Sequence, residues 1–318
     1  MKNRKIAFLI GINMLILSGC GNEIKEMLGF EDVELVDEKK ISYSISQIIG
    51  KMETLPADTE PGFRYEQLNE DEKIVYRELA EGISNYSEEI KISCKINEKS
   101  LRKVYESVIY SEKFQMFCTT RAYKYSYMQE EDVVDNIVPC YNFSCDEYEK
   151  VRSELEKTLI SVKLEISADM SEYEKVKKIH DYIIRKCDYA DLSRCTEEEI
   201  TEKMEREHFG DAYGALIRGD AICEGYSRAF KYICNSLDIG CELINGTGDG
   251  TDHMWNLVRI DGKRYHVDVT WDDPVINGVS DESTIVYDYF CLPDEKILED
   301  HIIEEGILLY PRCENTLS

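Results

Sequence analysis

Cys223, His253 and Asp268 are the residues whose types and order could perform acyl chemistry. A thiol can attack a carbonyl carbon, an imidazole can take and return its proton, and a carboxylate can hold that imidazole in one tautomer. Behind Cys223 a helical stripe runs through Tyr226, Ala229, Phe230, Ile233, Cys234 and Leu237. The thiol therefore sits at a helix N-terminus, where unpaired backbone N–H groups and the dipole favour a thiolate. Its own N–H could later donate to an oxyanion. Downstream the period changes from helical to alternating: Glu242 to Thr247 reads as a strand, and His253 to Ile260 and Lys263 to Trp271 as two more, joined at Asp261-Gly262. With Ile260 opposite Lys263, Trp255 faces Asp268 and His253 faces Thr270. His253 and Asp268 then share one face as diagonal neighbours, about 7–8 Å apart at the backbone. The hairpin alone pairs imidazole with carboxylate, and only the helix start has to be brought against it.

The rest of the chain must supply that support. A helix is expected over Leu68 to Ile83, with Asn69 as its cap, and another over Leu101 to Ile109. Arg121 to Tyr141 has the aromatic and β-branched content of strands. Two further helices are expected over Asp146 to Ser161 and Glu172 to Cys187. No repeat or low-complexity block appears. The divisions expected are a leader over 1–19, a tether over 20–61, a mainly helical region over 62–165 and a catalytic domain over 166–318.

Among 318 residues, 43% are hydrophobic, enough for a core. The net charge of −26 opposes a nucleic-acid partner and a basic lipid-binding face. Lys2, Arg4 and Lys5 precede an apolar run from Ile6 to Leu17, the layout of an export signal and too short for a comfortable span. Leu17-Ser18-Gly19-Cys20 resembles the lipobox of bacterial lipoprotein signals. That resemblance implies a lipid on Cys20 and a protein tethered outside the cytoplasmic membrane; an ordinary signal peptide or short anchor is the alternative. Of twelve cysteines, ten remain once Cys20 and Cys223 are set aside, an even number compatible with disulfides after export. Their redox state stays open, and the zinc pattern CxxC is missing.

Four segments then resemble the transglutaminase-like superfamily of bacterial proteins: Asp211 to Leu216, Ala221 to Tyr226, His253 to Val258 and Tyr265 to Pro274. Weaker likeness extends to Lys175–Tyr182, to Tyr289–Leu292 and to His301. The resemblance implies an α+β fold with a papain-like core, the nucleophile helix packed on an antiparallel sheet. It also implies the triad order Cys, His, Asp.

Other residues have two readings. His266 shares the predicted face of His253 and competes for the base role, but it fits the family pattern as a flanking residue. Trp255 and Trp271, the two tryptophans, either wall the cleft or fill the sheet core. Tyr213 is a candidate second oxyanion donor, although an aromatic in a helical stripe is more often core. His180 reads as a packing or hydrogen-bonding residue on its helix. Some relatives with this fold use calcium, but Asp249, Asp252, Asp272, Asp273, Asp281 and Glu282 lack the alternation of a calcium loop and read as a solvated acidic face. No cofactor or metal is expected.

The sequence thus points to an exported thiol enzyme acting on amide bonds of proteins, peptides or cell-wall peptides, with water favoured over an amine as acceptor. The alternative is a non-catalytic surface module that binds such ligands. A regulatory lid formed by the N-terminal region is a third idea, which nothing in the sequence tests.

Overall fold

Asp261 and Gly262 both take positive φ, 49° and 79°, the backbone that a two-residue turn requires between right-twisted strands. They join β7 (Thr251–Ile260) to β8 (Lys263–Val267) in the expected register, with Ile260 opposite Lys263 and Leu257 opposite His266. Asp249 and Gly250 repeat the device, with φ 47° and 75°, between β6 (Cys241–Gly248) and β7. These strands are the centre of a five-stranded antiparallel sheet in the order β11-β8-β7-β6-β12, completed by β11 (Phe290–Leu292) and β12 (His301–Ile303).

The computed structural model describes residues 62–111, 118–128, 133–273, 275–276, 279–280, 285–304 and 308–314. The chain divides into two compact units, Met1–Thr59 and Glu60–Ser318, and every described residue lies in the second. The expected leader, the lipidation residue Cys20 and the whole of the tether fall outside the described residues. Among the described residues, no helix is long and apolar enough to cross a membrane.

Eight α-helices are described: α1 (Phe63–Glu66), α2 (Glu70–Ser84), α3 (Glu98–Ile109), α4 (Cys145–Glu165), α5 (Glu172–Lys186), α6 (Glu197–Glu207), α7 (Cys223–Ser236) and α8 (Asp294–Ile297). Their starts follow from capping chemistry. Asn69, Ser144, Ser171 and Thr196 each accept from the backbone three residues on, while Glu72, Glu147, Glu174 and Glu199 reach back. Asn97 caps α3 in the simpler way. Among the described helices of eight residues or more, α7 alone begins without a side-chain cap.

The region expected to be mainly helical carries a three-stranded sheet as well, β1-β3-β2, formed by β1 (Ile90–Ile96), β2 (Cys118–Met128) and β3 (Val133–Tyr141). Its two faces differ: Ile90, Ile96, Val134 and Ile137 are buried with α2 and α3, which is why alternation replaces helical spacing there. Helix α4 belongs with the larger core instead. Val151, Leu155, Leu159 and Val162 pack with Val176, Ile179 and Ile183 of α5 and with Phe230 and Ile233 of α7. Fully burying one such side chain contributes about 1.5–3 kcal/mol. On the other face of the five-stranded sheet, Ile244, Trp255 and Leu257 meet Ile297 and Cys313. Two short pairs complete the strands, β4 (Asp188–Tyr189) parallel to β5 (Asp220–Ala221), and β9 (Val275–Ile276) with β10 (Val279–Ser280). Ten of the described cysteines, Cys223 among them, are free thiols.

Candidate active site

Helix α7 reaches the sheet through three polar ties. Ser227 Oγ donates to the Met254 carbonyl at 2.9 Å, Asn256 Nδ2 donates to the Ser227 carbonyl at 3.0 Å, and the Lys231 ammonium donates to the Cys241 carbonyl at 2.6 Å. These ties set the helix start beside the beginning of β7. Cys223 is the first helical residue, partly exposed, and Ile222 before it cannot cap. The first N–H groups of α7 therefore lack a side-chain partner and present a ready anion site.

His253 lies near the start of β7 and is 7% exposed. Strand β8 stops at Val267, opposite Asn256, so it does not flank His253. The predicted strand to Trp271 is shorter in fact: Asp268 donates its N–H to the Tyr289 carbonyl at 3.0 Å, and the chain then turns. The expected diagonal relation still delivers its contact, because Asp268 follows directly on the strand end. The His253 Nε2 and Asp268 Oδ2 are 2.6 Å apart, and Cys223 is a hydrogen-bonding partner of the same imidazole. Burial alone would depress the His253 pKa; hydrogen bonds and charge from Asp268 and Cys223 outweigh it and lift it to about 10. Asp268 is held below its usual range despite complete burial, because His253 and His301 hydrogen-bond to its charged form. Its other oxygen accepts from the Thr270 and Trp271 N–H groups at 3.0 and 3.3 Å.

The remaining sequence candidates separate. His266 bonds elsewhere: Trp255 Nε1 donates to His266 Nδ1 at 3.0 Å, which leaves Nε2–H to donate to Asp294 at 3.0 Å. That fixes one neutral tautomer, and burial holds its pKa down. Trp255 is fully buried with Ile244 and Ile297, behind His253 and His301, so it serves as sheet core rather than cleft wall. Trp271 is half-buried with its ring 5.5 Å from His253 and 4.3 Å from His301, where it shields the dyad. Tyr213 is not brought to the thiol: its hydroxyl donates to Glu154 at 2.8 Å and its ring packs edge-on to Phe143.

The acidic residues need correction. Asp249 and Asp252 are exposed, but Asp272 and Asp273 are buried; Asp281 and Glu282 lie outside the described residues. Asp272 faces His180 at 3.1 Å, and Tyr226 donates to Asp273 at 2.6 Å. They fasten α5 and α7 to the turn after Asp268 rather than solvate a surface. His180 is thus a structural tie, its pKa raised by Asp181 and Asp272 against the effect of burial.

One residue near the site, Tyr189, escaped the sequence reading, and another, His301, entered it only through the family likeness, with no role assigned. Tyr189, 42% exposed, feels the charges of Cys223 and Asp268, and β4 sets it beside Ala221. His301 stands 3.1 Å from Asp268. The signal for His301 was its rarity, one of five histidines. Among the described residues, two clusters hold metal-ligand types within 4.8 Å, His253–Asp268–His301 and His266–Asp294–Cys313, and in both the carboxylate is already engaged by neighbours.

Residues 160–269, which contain the helix-borne thiol, the imidazole and the carboxylate, match the model of the Transglutaminase-like superfamily. The chain is also similar to kyphoscoliosis peptidase. It is 24% identical to the Mus musculus protein over 145 residues, 41% of this chain and 21% of that one. Against the Homo sapiens protein the figures are 27% over 93 residues, 25% and 14%. The chain therefore spans about a fifth or less of those relatives' length. Among solved structures, it is similar to a TGase at 14% identity and TM-score 0.31, covering 57% of this chain and 50% of that one. A Cytophaga hutchinsonii protein described as a candidate cysteine protease gives 12%, 0.30, 57% and 65%.

Proposed function

We propose that the protein is an exported thiol enzyme that cleaves or transfers amide bonds of proteins, peptides or cell-wall peptides through a Cys223 thioester. The observation that carries this reading is the row formed by the partly exposed Cys223 thiol, the His253 imidazole and the buried Asp268 carboxylate at an uncapped helix start. In the reaction, sulfur bonds to the substrate carbonyl carbon as His253 takes the thiol proton. The C–N bond then breaks, and the proton passes to the leaving amine. Water, deprotonated by His253, attacks the thioester, releasing the acid and restoring the thiol; an amine in place of water gives transfer. The oxyanion formed in each step lies at the first N–H groups of α7.

A cleft of about 810 Å³, lined by none of Cys223, His253 and Asp268, opens along β6 and β12. Thr247, Asp252 and Ile302 line it from the sheet, and Arg102, Tyr123 and Tyr125 from the opposite wall. Hydrolysis is the favoured outcome, water being the default acceptor. Attachment through a lipid on Cys20 completes the reading.

Incubation with a digest of cell-wall peptides and proteins, acid quench and mass analysis of the Cys223 peptide tests the chemistry. An acyl adduct on wild type that is missing in Cys223→Ala supports the thioester. Full substrate turnover by Cys223→Ala would refute it. Incorporation of labelled fatty acid, lost in Cys20→Ala, tests the anchor separately.

A further inference from the structure

Every one of the five histidines faces a carboxylate, but only two share one. Asp268 Oδ2 lies 2.6 Å from His253 Nε2 and 3.1 Å from His301 Nε2. His301 comes from β12, at the opposite edge of the sheet from β11, and is 1% exposed. Its Nδ1 is 2.6 Å from Asp300 Oδ1, and the other oxygen of Asp300 accepts from the Tyr289 hydroxyl at 2.6 Å. Trp271, Trp255 and Tyr289 pack around the ring, with centroids 4.3, 4.9 and 5.6 Å away. The imidazole is thus wedged edge and face, and one nitrogen is aimed at the carboxylate that orients the base.

We infer that His301 is a positioning residue for the reaction, extending the triad to a five-membered row Cys223–His253–Asp268–His301–Asp300. The inference rests on the proposed thiol chemistry. His301 touches no substrate atom; it acts on Asp268. A buried carboxylate stays ionised only while donors satisfy it, and His301 is one of four here, beside His253 and two backbone N–H groups. It also fixes which way the Oδ2 lone pairs point, so that one is left for His253. Charged groups around His301 are Asp268, Asp300 and His253, with Tyr289 bonded to Asp300 and His266 within electrostatic reach. Nothing else among these donates to Asp268 in its place.

The position of the donor makes a sharp test. In Gln the side-chain amide nitrogen reaches the place of a histidine Nε2, whereas in Asn it reaches only that of Nδ1. His301→Gln keeps the donor to Asp268 and gives up the link to Asp300; His301→Asn does the reverse. The readout is alkylation of Cys223 by iodoacetamide across pH, resolved by peptide mass. There a C–S bond forms, iodide leaves and the thiol proton goes to His253, so no substrate need be known. We expect His301→Asn to slow alkylation at neutral pH about 10- to 100-fold, the size of one hydrogen bond to a charged group. Its acid-side fall should move to higher pH, because an Asp268 with fewer donors protonates sooner. His301→Gln should keep the wild-type rate within about threefold and the wild-type acid limb. Equal profiles for Asn and Gln, or a wild-type profile for Asn, would overturn the role of His301. His253→Ala on the same assay keeps the two claims apart. If it leaves the rate unchanged, the thiol chemistry itself fails; if it abolishes the rate while both His301 variants match wild type, only this inference fails.

Discussion

Asp268 carries more of the site than its place at the end of a short list suggests. Its two oxygens take four donors, so the carboxylate is ionised, immobile and directed at His253. Asp268→Asn keeps the size but offers an amide where both imidazoles need an acceptor, and it inverts the His253 tautomer. Acylation and alkylation of Cys223 should fall on the order of 10³-fold with little change in secondary structure, as expected for loss of the orienting carboxylate. The pH sense follows from the raised His253 pKa. The stability contributed by its pairing is fully present below the ordinary 6.5 and is lost as pH rises through about 10. Wild type should therefore lose melting temperature relative to His253→Gln between pH 7 and 10; a constant difference would contradict the pairing.

At the level of elements, caps separate stability from chemistry. Asn69 satisfies the start of α2, and Asn69→Ala should cost about 1 kcal/mol in chemical denaturation while alkylation of Cys223 stays unchanged. Ile222 leaves the start of α7 open, and Ile222→Asp places a carboxylate where an anion should sit. That variant should alkylate about tenfold more slowly, the helix end now serving its own cap. The sequence made much of this legible. Asp261-Gly262 announced the hairpin and its register, and the stripe from Tyr226 to Leu237 placed Cys223 at a helix start. Illegible were contacts made by chain turns rather than periodic elements. Strand β8 ends at Val267, four residues short of the Trp271 to which alternation carried it, because Asp268 binds its own following N–H groups. His301 reaches Asp268 from 33 residues away through a three-residue strand, which no period reveals. Trp255 and Trp271 are alike in sequence and both pack on His301, yet one is fully buried and the other only partly. Tyr213 looked available because Glu154, its partner, lies 59 residues earlier.

For the whole molecule, the turn from Asp268 to Asp273 is where three parts meet. Asp268 holds the histidines, Asp272 binds His180 of α5, and Asp273 binds Tyr226 of α7. Tyr226 has one phenolic proton but two acceptors, Asp273 at 2.6 Å and the Cys187 carbonyl at 2.8 Å. While Asp273 is ionised Tyr226 donates to it; once Asp273 is protonated it donates to Tyr226, which then donates to Cys187. Burial accordingly raises the Asp273 pKa to about 6. Because this carboxyl is raised rather than depressed, the folded state binds its proton more tightly, and its contribution falls as pH rises from about 4 to about 6. Asp273→Asn, a permanently neutral group of the same shape, should lack that fall. The melting difference between variant and wild type should shift in favour of the variant across that window. A difference independent of pH would refute the assignment.

The central claim is that Cys223 is a nucleophile activated by His253. Iodoacetamide alkylation at pH 7, followed by peptide mass for each cysteine, tests it most directly. The account predicts that Cys223 reacts faster than a free model thiol and far faster than the buried Cys187, Cys234 and Cys291, and that His253→Ala removes the advantage. A Cys223 no faster than the model thiol, with a rate unchanged in His253→Ala, would contradict it.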